Sequence, residues 1–361
     1  GEHSLKITFR QQYPLTSRLR DEKKLRHAQV LLAEAELAEH RRQLASRVAI
    51  KVVQLVSSRE YIQHQDKHAD LQSAITRLLR TLVQRAEASS LDLGQAELDS
   101  RQIEQKRRTF QARARSQRLQ LNQLIGMEPS KQIRFQYSLD LPSEPSGQSV
   151  PLAEILTRRP DHALALANIH AADNTLTLEK ARQLEDMTVS VFVEQERSVD
   201  EPSGLDSNTF AGIGISIPLP LRQKNEGRIE QAEMNYRAAG EAAAALRFLI
   251  QSEYHSARQQ HMDAWRIASE AKGEILRLAR KNYDDFRLAY LDGQVGLLQV
   301  QRAREQLLEL QQEALEAAVH FHQADIRWTL SLSVRSPARL HESELCEILT
   351  TSQLLRSTIF W

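Results

Sequence analysis

The sequence predicts a mainly α-helical protein of very long antiparallel helical hairpins, built as two internal repeats, with short β-strands between them. Three observations predict it. Proline and glycine are absent from very long stretches, a few short segments alternate apolar with small or polar residues, and the same order of features occurs twice. Composition agrees, because aromatics make up only 5% of the 361 residues while Ala, Leu, Gln, Glu and Arg dominate.

Between Leu15 and Glu128 there is no proline, and the glycines are Gly94 and Gly126. Residues 20–85 therefore read as one helix, roughly 100 Å long at the standard rise. Leu25, Ala28, Leu32 and Ala35, then Leu44, Val48, Val52 and Leu55, recur at three- and four-residue steps. EASSLDLG, residues 87–94, interrupts that pattern. A half-length helix over 93–125 follows. Residues 127–159 carry Pro129, Pro142, Pro145 and Pro151 and read as an irregular connector.

A second half-length helix is expected over 160–184. Beyond it, Val189, Val191 and Val193 alternate with Ser190, Phe192 and Glu194. In FAGIGISIPLP, Ile213, Ile215 and Ile217 alternate with Gly214, Ser216 and Pro218. The two segments and the polar SVDEPSGLDSN between them read as a β-hairpin over 187–221. A long helix over 228–290, a break at 291–296 and a half-length helix over 297–330 complete the chain up to a tail, 334–361.

The return of this order is an internal repeat. ITFRQQYPL at 7–15 aligns with IGISIPLPL at 213–221, an offset of 213 − 7 = 206 that sets Pro14 on Pro220, Leu82 on Leu288 and Leu91 on Leu297. Past the break the offset slips by one, so that Ala96 meets Ala303. The first repeat thus spans 1–126 (strand 5–15, long helix 20–85, tip 86–92, half helix 93–125). The second spans 160–333, joined to it by the connector 127–159. Because 187 − 206 precedes Gly1, the first repeat is expected to lack its leading half helix and strand.

Charge and motifs exclude several classes. The 48 basic and 47 acidic residues leave +1, without the concentrated basic face of a nucleic-acid binder. Cys346 is the single cysteine, so no disulfide can form within the chain. No run of about 18 apolar residues is present for a transmembrane helix. There is no glycine-rich phosphate loop, nucleophile elbow or paired acidic motif, so neither an enzyme nor a cofactor is indicated. His64 and His68 would share a helix face, but no carboxylate or thiolate joins them, and a solvated surface is expected rather than a metal site.

The strands approach the length of a transmembrane β-strand. Leu5, Ile7, Phe9, Val189, Val191, Val193, Ile213, Ile215 and Ile217 would form a lipid-facing stripe, with Lys6, Thr8 and Arg10 facing water. An open sheet cannot stand in lipid, so several copies would share one closed barrel. The alternative is a soluble coiled-coil scaffold whose small sheet caps a helical bundle.

The motifs RRPDHALALANIHAADNTLTLEKAR (158–182), GIGISIPLPL with NEGRIEQAE, and GQVGLLQVQRARE (293–305) resemble the TolC-like outer-membrane efflux family, over about residues 5–332. The polar exit LRQKNEG leans towards its heavy-metal-exporting branch. Two features depart from the family: Leu184-Glu185-Asp186 stands where it has a proline, and the tail after Val334 has no counterpart in the repeat.

The resemblance implies a homotrimer whose hairpins form an α-barrel through the periplasm and whose strands share a transmembrane β-barrel in outer-membrane lipid. Its partners would be a periplasmic adaptor and an inner-membrane transporter. It also implies a passive duct, without cofactors or bound metal, exporting metal ions or small toxic compounds. The helix breaks would form the docking tip: Ser89, Ser90 and Leu91 in one, Gly293, Gln294, Val295, Gly296 and Leu297 in the other. Asp92 is a gate candidate there, and also reads as the N-cap of the helix starting at Leu93.

Overall fold

A computed structural model of the chain describes residues 3–131, 137–145, 149–184, 186–200, 204–218 and 225–332. Pro220, most of the LRQKNEG exit and the tail lie outside these. The elements run β1 (His3–Tyr13), α1 (Arg18–Gln84), α2 (Ser90–Leu124), α3 (Leu152–Arg158), α4 (Pro160–Ala181), β2 (Met187–Asp200), β3 (Gly204–Ser216), α5 (Glu226–Glu270), a π-turn (Ala271–Ile275), α6 (Leu276–Leu291) and α7 (Leu297–Ser331).

By contacts the chain divides into two compact units. The first, residues 1–39 and 160–249, contains the sheet, α4 and the adjoining parts of α1 and α5. Its strands lie antiparallel in the order β1-β2-β3. The junctions between strand and helix are tied by polar side chains. Thr16 Oγ1 donates to the Ala181 carbonyl at 2.8 Å, and Arg18 pairs with Asp186. Asn225, in the left-handed region at φ 56°, donates to both the backbone and the carboxylate of Glu179. The Arg18–Asp186 pair thus ties the first residue of α1 to the residue that precedes β2.

The second unit, residues 40–159 and 250–361, is helical. Its apolar core gathers Ala49, Val52, Val53, Leu55, Val56 and Tyr61 of α1 with Leu121, Leu139, Leu315 and Ile326. The Tyr61 ring stacks on Phe110 at 4.8 Å. Further along α1 the buried stripe turns polar: Gln65, His68, Gln72 and Thr76 are all buried. Helical spacing carries both stripes, but only the first is apolar.

Three expectations are corrected here. The connector is not wholly irregular, since LAEILTR after Pro151 forms α3, burying the adjacent Ile155 and Leu156. The second long helix is not uniform: the π-turn interrupts it, and Lys272 within that turn donates to the Leu139 carbonyl at 2.7 Å. The histidines are not simply solvated. His68 and His322 are buried, as is His261, whose Nε2 lies 3.0 Å from Asp325.

The candidate membrane sheet and the helix breaks

The sheet register sorts the strand residues onto two faces, because residues directly opposite share a side. Val191 pairs with Phe9 and Ile213, and Val193 with Ile7 and Ala211. Leu5, Ile7, Phe9, Val191, Val193, Ile213 and Ile215 are all exposed, Ile213 at 76%. Val189 shares their face, opposite Gln11 and Ile215, and is half-buried. Ile217 lies one residue past β3 and is exposed. A contiguous apolar sheet face open to the surroundings is rare on a water-soluble monomer.

The opposite face is mainly polar, with Phe192 and the exposed Phe210 as its aromatic residues. Lys6, Thr8 and Arg10 stand across from Glu194, Phe192 and Ser190 of β2. Lys6 Nζ lies 2.9 Å from Glu194 Oε2 and 4.4 Å from the centroid of the Phe192 ring. Phe192 can lie flat because its β3 neighbour is Gly212, where an added Cβ would stand 2.7 Å from the ring. Ser190 likewise lies across Gly214 and donates to its carbonyl at 3.3 Å. The glycines that alternate with Ile213 and Ile215 are therefore space for the side chains of β2.

The helix breaks share one backbone design. α1 ends in a turn closed by Glu87 N–H to Leu82 O and Ala86 N–H to Val83 O, with Ala86 left-handed at φ 57°. α6 ends with Gln294 N–H to Ala289 O and Gly293 N–H to Tyr290 O, with Gly293 at φ 69°. Both have the hydrogen bonds of a Schellman stop. Three residues on, each next helix is capped: the Ser89 hydroxyl accepts from Leu91 N–H, and the Gln299 side chain accepts from Gly296 N–H.

Asp92 is therefore not the N-cap, which is Ser89. It sits in the first turn of α2, exposed, where a carboxylate favours the helix dipole. The equivalent caps are 296 − 89 = 207 apart. The one-residue slip thus precedes the break, and the π-turn, which takes one extra residue, accounts for it. Leu91 then matches Leu298, not Leu297; they are 82% and 63% exposed. Ser90, Gln294 and Gly296 are exposed and Val295 is half-buried, while the Leu297 side chain lies outside the described residues.

Among the described residues no helix is long and apolar enough to cross a membrane, and no group of three or more His, Cys, Asp or Glu could hold a metal. Strands with one apolar and one polar face between very long helices that stop and restart in matched turns define the fold of the TolC-like outer-membrane channels.

In sequence the chain is 23% identical over 279 residues to the cobalt-zinc-cadmium resistance protein CzcC of Cupriavidus metallidurans. The match covers 77% of this chain and 65% of CzcC, so the chain spans just under two thirds of that relative. In structure it is similar to the outer membrane protein VceC of Vibrio cholerae, with TM-score 0.71 and 17% identity, covering 92% of this chain and 80% of VceC. It is also similar to CusC, whose crystal structures concern folding and transmembrane channel formation, with TM-score 0.74 and 17% identity, covering 92% and 77%. No protein-family model matches the chain.

Proposed function

We propose that the chain is a subunit of an outer-membrane export duct, a passive homotrimeric channel of a tripartite efflux system. The observation that carries this reading is the sheet, exposed and apolar on one face, mainly polar and internally paired on the other. Such a sheet is stable in lipid only when its edges are paired in a closed barrel. The outer edges of β1 and β3 carry no partner strand among the described residues, which leaves them free to pair with other copies. The likeness to the cobalt-zinc-cadmium resistance protein CzcC supports export of metal ions, with small toxic compounds as the wider class. A periplasmic adaptor and an inner-membrane transporter supply docking and energy.

The tips are the proposed adaptor-docking sites, through Ser89, Ser90 and Leu91 and through Gly293 to Leu297, with Asp92 as the proposed gate. Gly293 is explained by its left-handed backbone. Gly296 is not: its φ is −81° and a Cβ there would meet open space. A small residue at such a site lets another backbone approach closely. Gly296→Trp should abolish adaptor cross-linking and leave the oligomer intact; unchanged cross-linking removes the docking assignment. If Asp92→Asn alters neither conductance nor cation preference, the gate assignment fails.

Single-channel recording in planar bilayers tests the function itself. Discrete conductance steps, lost on introducing charge at Ile213 and Ile215, are expected. Folded, helical protein that stays in solution without detergent and gives no steps would favour a soluble scaffold.

A further inference from the structure

On the polar face of the sheet, the described strands place Lys6 and Arg10 among the basic residues and Glu194 and Glu196 among the acidic ones. Lys6 and Glu194 are directly opposite in the register and joined at 2.9 Å. Both remain open, with side chains 49% and 29% exposed, so a passing ion can reach either. The ammonium is held from a second direction by the Phe192 ring, 4.4 Å to the centroid. That ring is in turn laid flat by the missing Cβ of Gly212. Four residues on three strands thus hold one cation against one carboxylate.

We infer that Lys6 determines ion selectivity in the proposed channel, by cancelling a Glu194 carboxylate that would otherwise face permeating ions. The inference rests on the reading of the polar face as the water-filled side of a shared barrel. Each copy that joins the barrel repeats the pair, so removing one partner creates a ring of like charge rather than a single one. Rings of carboxylates favour cations and rings of ammonium groups favour anions. A low-dielectric wall behind the ring focuses its field into the pore. With both partners present the ring is neutral, and a wide duct passes cargo of either sign.

The test is the reversal potential of the full-length protein in planar bilayers under a potassium chloride gradient. Lys6→Gln should shift the potassium-to-chloride permeability ratio several-fold towards the cation. Glu194→Gln should shift it several-fold towards the anion, and the double substitution should return it to the unsubstituted value. Lys6→Arg, which keeps the charge, should leave the ratio unchanged. Normal conductance steps with the same ratio in both single variants would overturn the inference and leave the channel standing. An absence of steps from the unsubstituted protein would overturn both.

Discussion

Gln72 Oε1 accepts a hydrogen bond from Arg304 Nη1 at 3.2 Å, and Gln72 Nε2 donates to the Ala96 carbonyl at 3.1 Å, so one amide on α1 is bonded to both α7 and α2. Both side chains are buried. Among the described residues Arg304 forms no ion pair, and burial pushes its pKa down from the ordinary arginine value. The guanidinium is held instead by Gln72 and, at 3.5 Å, the His68 carbonyl.

Removing the acceptor should cost more than removing the charge. Gln72→Leu leaves a buried cation short of a partner and the Ala96 carbonyl reliant on the longer Thr76 contact, so a loss of about 2 kcal/mol or more is expected. Arg304→Met removes the cation with its desolvation cost, and should change stability by about 1 kcal/mol or less. Urea unfolding followed by circular dichroism compares them. A larger loss for Arg304→Met would mean that the guanidinium holds the helices together on its own.

The matched stops of α1 and α6 differ in one residue that matters to the backbone. Ala86 at φ 57° carries a left-handed penalty that Gly293 at φ 69° avoids. Ala86→Gly should therefore stabilise the helical unit, and Gly293→Ala destabilise it, each by about 1 kcal/mol. Opposite shifts in the thermal midpoint are the readout. Equal shifts of one sign would show that contacts at the tips outweigh their backbone conformations.

The same comparison shows what a sequence can and cannot announce. Gly293 and the alternation of Ile213, Ile215 and their glycines are legible, because glycine marks left-handed turns and period two marks a two-faced strand. Ala86 gives no such sign, and its turn follows from where α1 must stop. Ser89 with Asp92 is the spacing of a capping box with a shorter acid, which marks Ser89 and not Asp92 as the cap. Pro151 before Leu152, Ile155 and Leu156 likewise marks a helix start within the connector. The π-turn and the burial of His68 and His322 have no local signature. They depend on which helices pack against them.

Phe192 and Gly212 should behave as a coupled pair. Gly212→Val places new atoms where the Phe192 ring lies, at a cost of about 1–3 kcal/mol for overpacking. Adding Phe192→Ala should recover part of that loss, a non-additivity expected only for residues in contact. The thermal unfolding midpoint of the chain measures both. Strictly additive effects would mean that the ring moves freely away from Gly212.

Stability should fall on mild acidification because of His68. Burial first, then the Arg304 charge, with His64 and Lys106 adding, hold its pKa at about 4, below the ordinary 6.5. All three neighbours are basic, and burial also lowers His64 and His322. Between pH 6.5 and 4 the unfolded chain binds a proton at His68 that the folded chain does not, so stability rises with pH across that window. The contribution is full above about 6.5 and falls progressively towards pH 4, by up to about 3 kcal/mol. His68→Gln should flatten the dependence of the urea midpoint on pH in this range, with the remaining slope carried by His64 and His322. An unchanged slope would place the titrating group elsewhere. A steeper loss in acid than His68 alone allows would be the added share of His64 and of His322, whose Nδ1 lies 2.9 Å from the Tyr137 hydroxyl.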